Sequence, residues 1–470
     1  MIKTSLEEIA SLTGGEIAAG GGALEVESVS ISSAVPADLF VAVKGEKTDG
    51  ALFIGRAFEN GFKAALTHSL DPSCPMPQIL VKDSVEALSK LAKANLEKRR
   101  KKPGFTEIAL TGSVGKTTTK DILFQLFSPL APTAANEGSF NNELGLPLTC
   151  LKVGEETRYL VAEMGANKIG DIARLFSIAP CDVALELRVG FAHEGEFGSR
   201  ENIFRAKSEL VRNLGPFDTA VLNAQDRRVR EMASLTRARV RWFSLDFLAG
   251  MEACAKGLEM DELGRPSFEL ILEGKAAGRV RLPLLGEHNA SNAVAAAACA
   301  KVCGVPDEEI VSGLSGLRGV SPHRLSLFEN RSLGKDCLIL DDTFNANPDS
   351  MSNCVKIAER MAKEKGRDLL FILSPMLELG ERGEEYHRQI GRAVRDFSAS
   401  LIVVCQDKEK DALARAYIEQ VPGAELVRSL KEAKEEAEQF VQKAQRPLVV
   451  LKGSHAFHLD SLAEDLEKGK

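Results

Sequence analysis

The stretch Leu110 to Lys120, LTGSVGKTTTK, constrains this chain more than any other. A short apolar run, Ile108-Ala109-Leu110, precedes it, and the pattern DILFQLF, apolar at helical spacing, follows it. Strand, glycine loop and helix in that order are what a phosphate-binding loop requires. Gly112 and Gly115 let the backbone turn tightly, so that its amides point into one concavity. The helix N-terminus behind them adds partial positive charge and unpaired N–H groups. Lys116 can reach the terminal phosphates of a nucleotide, and Thr117 can place its hydroxyl on a magnesium ion. The loop departs from the standard G-x-x-x-x-G-K-[ST] pattern, because Leu110 stands where the first glycine belongs. The bland alternative is an ordinary strand-to-helix turn with a solvated Lys116.

A chain of 470 residues is long enough for roughly three domains. A hydrophobic content of 44% is ample for packed cores. The net charge of −7, with both signs mixed along the chain, argues against a basic nucleic-acid-binding face. The nine Cys form no C-x-x-C pair, which suits a reducing, cytoplasmic setting. The opening MIKTSLEEIASLTGG is too charged for a signal peptide, and no apolar run approaches the roughly 20 residues of a membrane span.

Three segments follow from the pattern of elements, with boundaries at 1–103, 104–317 and 318–470. The first is a small N-terminal α/β domain. TSLEEIASLTGG reads as a helix started by Thr4 or Ser5 and stopped by Gly14-Gly15. The short strands ALEVESVSI, DLFVAV and AALTHS follow, and AFENGF closes a second helix on Gly61. The amphipathic helix SVEALSKLAKANLEKRRKKPG ends in a basic run, Lys98 to Lys102, expected to be a solvated helix end before a linker at Pro103-Gly104. The second segment alternates strands (TEIALT, RYLVAEMG, DVALELRV, TAVLNA, RVRWFSL) with helices, which argues a doubly wound, largely parallel sheet. Ligands bind at the carboxyl ends of such strands, and Glu163, His193, Glu194, Asn223 and Asp226 cluster there. GEHNASNAVAAAACAKVCG reads as a buried helix begun near Asn289 or Ser291. The third segment, Rossmann-like, has the near-continuous apolar strands CLILDDTF, LLFILS, SLIVVC and PLVVLKGS that a parallel sheet covered on both faces demands. Asp341-Asp342, Asn345, Asn347 and Lys452 to His455 crowd its strand ends.

Singly these residues are ambiguous: Glu163 could cap a helix, His193 could be structural, and Lys207 could be solvated. In series, TGSVGKTTTK, SFNNELGLPLT, AEMGANKIGDI, AHEGEFGSRENIFRAKSEL, GEHNASNAVAAAA, HRL, LDDTFNANPDSM, MLELGERGEEYHRQIG and LKGS resemble the Mur ligases. The segments DDTFNANPDSM and MLELGE point to the branch that adds D-alanyl-D-alanine.

The resemblance implies a reaction. ATP phosphorylates the terminal carboxylate of UDP-N-acetylmuramoyl-tripeptide, and the amine of D-alanyl-D-alanine then attacks the acyl phosphate. The three domains would hold the UDP-sugar peptide, ATP and the dipeptide respectively. Gly112, Ser113, Val114, Gly115, Lys116, Thr117 and Thr118 would cradle the phosphates. Asn292 would contact adenine, while Arg324 and Asp342 would reach the nucleotide from the third domain. Thr117, Glu163, His193 and Lys207 would serve magnesium, Lys207 as a carbamate, and Lys116, His193 and Lys207 would be the catalytic set. The resemblance also implies small-molecule partners alone, with no nucleic acid and no membrane insertion, and a cytoplasmic monomer.

Departures from the family pattern are concentrated in the first domain. ISSAVPADLF lacks the usual D-S-R arginine, and DGALF lacks the histidine of DGHDF, which leaves Lys44, Lys47 and Thr48 as candidate UDP contacts. Elsewhere Arg188 replaces a usual Asn, Ser374-Pro375 replaces Gly-Asp, and His455 replaces Arg. Three other readings fit parts of the chain: a sibling ligase with another acceptor, a P-loop ATPase switch, and a scaffold without activity.

Overall fold

The computed structural model describes residues 1–18, 21–45, 47–190, 194–330 and 336–468. Its strands form three main sheets, one in each of three α/β domains, and a small two-stranded ribbon. The first sheet has five strands in the order Glu16–Ile17, Gln78–Leu80, Ala64–Thr67, Leu39–Val41, Val29–Ser30. The opening helix, Leu6–Thr13, starts on the Ser5 hydroxyl, which accepts from the Glu8 N–H, and stops at Gly14 with φ 71°. Both signals are those its sequence carries.

The helix Ser84–Arg100 begins on the Asp83 carboxylate, which accepts from the Val85 and Glu86 amides. Its apolar face does not end at the first domain. Leu88, Leu91 and Leu96 share one buried cluster with Leu146, Cys150 and Leu175 of the central domain. The basic run at its end is solvated as expected at Arg100, Lys101 and Lys102, but not at Arg99. Arg99 is only 2% exposed; its Nε donates to the Thr157 carbonyl at 2.7 Å and its Nη1 to that of Lys102 at 3.0 Å. Arg100 pairs with the buried Glu107. A guanidinium can be buried where its rigid fork finds enough carbonyls, and here it fixes the segment that leads into the central sheet.

The central sheet has nine strands in the order Lys275–Arg281, Pro266–Leu272, Ala253–Met260, Arg239–Ser244, Thr219–Asn223, Val183–Glu186, Thr106–Thr111, Tyr159–Glu163, Thr133–Ala135. Pairing is parallel from Thr133–Ala135 through to Ala253–Met260, and the last two strands extend it as antiparallel neighbours. The alanine-rich helix spans Glu287–Val302 and begins at Gly286, earlier than Asn289 or Ser291. Asn289 does not cap it, because its amide donates back to the Leu285 carbonyl at 2.8 Å. Register places Glu163 beside Leu110 and Glu186 beside Thr111, at the foot of the phosphate loop.

The third sheet has six strands in the order Ser326–Asn330, Cys337–Asp342, Pro447–Lys452, Asp368–Leu373, Ser400–Val404, Glu425–Val427, parallel except at Ser326–Asn330. The connection to it is pinned to the helix Lys116–Phe127. Asp121 Oδ2 accepts from the amide and hydroxyl of Ser321, both at 2.7 Å, and Gln125 bonds Arg318 and Gly319.

Asn95 joins the first two domains. It is 2% exposed, accepts from the Ile2 amide at 2.9 Å, and donates to the carbonyls of Cys150 and Val153, each at 2.9 Å. Asn95→Leu leaves the Ile2 N–H and the Val153 carbonyl unpaired, at about 1–3 kcal/mol for each. A clear drop in the urea midpoint is expected; an unchanged midpoint would show that this contact does not hold the two domains together.

Candidate active site

The phosphate loop leaves the central strand Thr106–Thr111 and enters the helix Lys116–Phe127 through Gly115, at φ 84°. A Cβ at Gly115 would meet Asn292 Oδ1 at 2.5 Å, so only glycine lets the loop lie against the helix Glu287–Val302. The loop is also tied on its other side, where the Ser113 N–H donates to the Arg188 carbonyl at 2.7 Å. Lys116 donates to the Gly112 carbonyl at 2.8 Å and folds over its own loop. Burial pulls its ammonium below the usual pKa; Glu163 opposes this and Arg324 adds to it.

Glu163 ends its strand fully buried. One carboxylate oxygen accepts from Asn141 Nδ2 at 2.6 Å and from the Thr117 hydroxyl at 3.3 Å; the other has no hydrogen-bond partner. Asn136 fixes its backbone, accepting from the Glu163 N–H at 2.6 Å. Sequence reasoning passed over Asn136, Ser139 and Asn141 individually. The only signal for Ser139 and Asn141 was their place in SFNNELGLPLT, and Asn136 lies three residues before it.

From the third domain, Arg324 Nη2 reaches the Thr117 hydroxyl at 3.0 Å and Ser139 at 2.8 Å. Its guanidinium carbon lies 4.0 Å from the Phe344 ring centroid, a cation–π contact. His323 and Leu325 on either side hold φ of 62° and 53°, a left-handed conformation that costs non-glycine residues energy. The His323 ring pairs with Asp341 at 2.7 Å. Asp342 does not stand alone: Lys452, only 1% exposed, donates to it at 2.6 Å and to the Asn345 carbonyl at 3.0 Å.

Two cavities meet at Val114. One, of about 620 Å³, joins Lys116, Thr117 and Glu163 to Arg324, Asp342 and Lys452 of the third domain. The other, of about 1080 Å³, runs over the ends of the central strands to Asn292. The sequence candidates Ser113, Val114, Gly115, Lys116, Thr117, Glu163, Arg324 and Asp342 therefore line one cavity, and Asn292 lines its neighbour. Gly112 and Thr118 flank the loop within the fold, Thr118 buried in the first helical turn. His193 lies outside the described residues.

Lys207 lines neither cavity. It sits 2% exposed on the helix Arg200–Arg212, not solvated. Burial first, then Lys116, brings its pKa down to about 7, against the pull of Glu186, Glu163 and Asp171. Glu186, not among the sequence candidates, ends the neighbouring strand with both oxygens unpartnered. Burial raises its pKa far above the carboxylate range, with Lys207 opposing and Asp226 adding.

Among the described residues no three His, Cys, Asp or Glu side chains form a ready metal cluster. Magnesium does not need one, because it keeps waters and substrate phosphates and takes only one or two protein oxygens. The Thr117 hydroxyl and the unpartnered Glu163 oxygen fit that requirement. No helix among the described residues is long and apolar enough to cross a membrane.

Comparison with known proteins agrees with this geometry along the chain. Residues 24–95 match the Mur ligase family catalytic domain, 110–300 the Mur ligase middle domain, and 323–455 the Mur ligase glutamate ligase domain. The UDP-N-acetylmuramoyl-tripeptide–D-alanyl-D-alanine ligase of Mycobacterium bovis is 36% identical over 435 residues, covering 86% of this chain and 83% of its own. The ligase of that name from Escherichia coli is 32% identical over 84% of each chain. Among solved structures, MurF from Acinetobacter baumannii superposes with a TM-score of 0.84 at 30% identity over 99% of both chains. MurF from Thermotoga maritima in complex with ADP superposes with a TM-score of 0.78 at 27% identity, over 94% of this chain and 98% of its own. Matches to three successive segments, and relatives this similar over most of their length, establish that the chain belongs to the Mur ligase family.

Proposed function

We infer that this chain is an ATP-dependent ligase that joins D-alanyl-D-alanine to UDP-N-acetylmuramoyl-tripeptide in peptidoglycan precursor synthesis. One observation carries the reading: the phosphate loop and residues of the third domain face each other across a single cavity, as a ligase bringing ATP to a second substrate needs. The γ-phosphoryl group passes to the tripeptide's terminal carboxylate, and ADP leaves. The dipeptide amine attacks the acyl carbon, the C–O bond to phosphate breaks, and the amine loses a proton.

In this reading residues 1–103 hold the UDP-sugar peptide, 104–317 hold ATP, and 318–470 hold the dipeptide. The amides of Gly112 to Gly115 and the Thr118 hydroxyl cradle the phosphates, and Lys116 swings from the Gly112 carbonyl to the transferring group. Asn292 takes the adenine, and Arg324 and Asp342 reach the nucleotide from the third domain. The three-domain enclosure keeps water from the acyl phosphate. Thr117, Glu163, His193 and a carbamylated Lys207 would hold magnesium, which when bound neutralises phosphate charge. The enzyme is read as a cytoplasmic monomer with small-molecule substrates only.

Carbamylation of Lys207 has a physical basis. A neutral amine is needed to attack CO2, so the ammonium first gives up a proton; the new N–C bond forms, a second proton leaves to water, and the buried cation becomes an anion. With a pKa of about 7, the amine is neutral above that pH and protonated below it.

Phosphate release from ATP tests the whole reading. It is expected to require UDP-muramoyl-tripeptide and D-alanyl-D-alanine together; release independent of both would favour an ATPase switch, and release with another amine a sibling ligase.

Lys116→Ala should lose on the order of 10²-fold or more in rate, the usual cost of one group stabilising transition-state charge, while its unfolding midpoint stays unchanged. Near-normal turnover in the folded variant would rule out the phosphate-loop role.

Lys207→Ala should be nearly inactive, recover in part with short carboxylic acids, and not be replaced in function by Lys207→Arg. For the native protein, depleting CO2 should lower activity, and bicarbonate should restore it more fully at pH 8 than at pH 6, because only the neutral amine reacts. A bicarbonate response independent of pH, or a fully active arginine variant, would refute the carbamate.

A further inference from the structure

Arg188 follows the strand Val183–Glu186 on a backbone held from every side. Leu187 donates to the Thr111 carbonyl at 3.1 Å, Arg188 accepts from Ser113, and Asn223 Nδ2 donates to the Leu187 carbonyl at 2.8 Å. The Val189 amide donates to Asp226 Oδ2 at 3.1 Å. A Cβ at Gly112 would lie 3.0 Å from Leu187 Cβ and 3.2 Å from the Arg188 nitrogen, so loop and segment are in contact. The Arg188 Cα is thus fixed to the phosphate loop.

Its side chain is exposed and lines the larger cavity between Val114 and Asn292. The other arginines lining that cavity are engaged. Arg200 donates to the Val189 carbonyl at 3.3 Å, Arg227 pairs with Glu231 and Arg228 with Glu201, both at 3.2 Å, and Arg360 pairs with Glu364 at 2.8 Å. The same pairs occupy Glu201 and Glu231. Asp226 is spent on Val189 and on capping the helix Arg227–Met232. Among the described residues the Arg188 guanidinium has neither a hydrogen bond nor an ion pair. A fixed backbone with an uncommitted fork of five donors is suited to an oxoanion that arrives with a ligand.

We propose that Arg188 binds the α-phosphate of the nucleotide, at the point where the molecule leaves the phosphate loop for Asn292. The proposal rests on ATP being the co-substrate. It makes Arg188 a nucleotide-positioning residue that acts on every nucleotide carrying an α-phosphate and on no nucleoside without one. Lys116, by contrast, acts on the β- and γ-phosphates.

Calorimetric titration of ADP, AMP and adenosine into the full-length native protein, Arg188→Ala, Arg188→Lys and Lys116→Ala tests this. Arg188→Ala is expected to weaken ADP and AMP by about tenfold or more, the loss of a charged hydrogen bond, with adenosine unchanged. The lysine variant should fall between, since a point charge replaces the fork. Lys116→Ala should weaken ADP but not AMP. ADP and AMP affinities within twofold of native in Arg188→Ala would overturn the proposal while leaving the ATP reading intact. An equal loss for adenosine and AMP would also overturn it, because cavity shape rather than phosphate would then be the cause. Absence of ADP binding by the native protein would remove the ATP reading and the proposal together.

Discussion

Excess positive charge withdrawn from water is the constraint on which the site depends. Lys116, Lys207 and Arg324 are all held below their usual pKa, in each case first by burial. The fully buried Glu163 bears on all three, and it cannot balance them alone. Cations out of water are costly unless anions or strong acceptors meet them. The fold supplies makeshift acceptors: the Gly112 carbonyl for Lys116, and the Thr117 and Ser139 hydroxyls for Arg324. Each is weaker than a phosphate oxygen. Triphosphate binding therefore relieves a cost already built into the fold, and the exchange of neutral acceptors for charged ones favours loading.

The same charge couples the third domain to the loop. Arg324 is the first long side chain after a connection pinned to the loop's own helix through Asp121 and Gln125. The flanking left-handed residues and the His323–Asp341 pair fix its direction. A change in what Thr117 binds is thus felt at once by Arg324, and through Phe344 and Asp341 by the sheet edge that carries Asp342. Domain orientation and nucleotide state share one contact.

The phosphate loop was legible because its signal is local: an apolar strand, two glycines and a helix within twenty residues. The parallel strands were legible as unbroken apolar runs. What escaped depends on distant register or on two-sided environments. The strand Ala253–Met260 mixes buried and exposed positions without a clean alternation. Asn136 and Asn141 are ordinary loop residues until Glu163 is placed beside them. Arg99 read as solvated because charged residues on helices usually are, and only the tertiary fold supplies the carbonyls around it; Lys207 was singled out through the family resemblance, while its desolvation comes from the tertiary fold. Glu186 looked like a charge interrupting an apolar strand, and its burial beside Thr111 follows from sheet pairing alone.

The two interfaces of the central domain differ in kind, and that difference bears on how the enclosure forms. Toward the first domain a single apolar cluster passes through both, reinforced by Asn95 and Arg99 bound to central-domain carbonyls. Breaking it would expose a core, so those two domains act as one body. Toward the third domain the apolar contact is small. Leu285 and the half-buried Leu263 join the third-domain cluster, and a Cβ on Gly286 would meet Ile357 Cδ1 at 2.6 Å. The rest of that interface is polar: Arg324 on Thr117, Ser321 on Asp121, the Gly195 N–H on the Glu378 carbonyl, Arg360 on the Met260 carbonyl and Lys365 on Glu262. Polar contacts exchange with water at little net cost, whereas a narrow apolar contact with glycine on one side permits rotation. The third domain is accordingly held to the central one by small, separable contacts, with Ile357 against Gly286 and Arg324 against the loop among them.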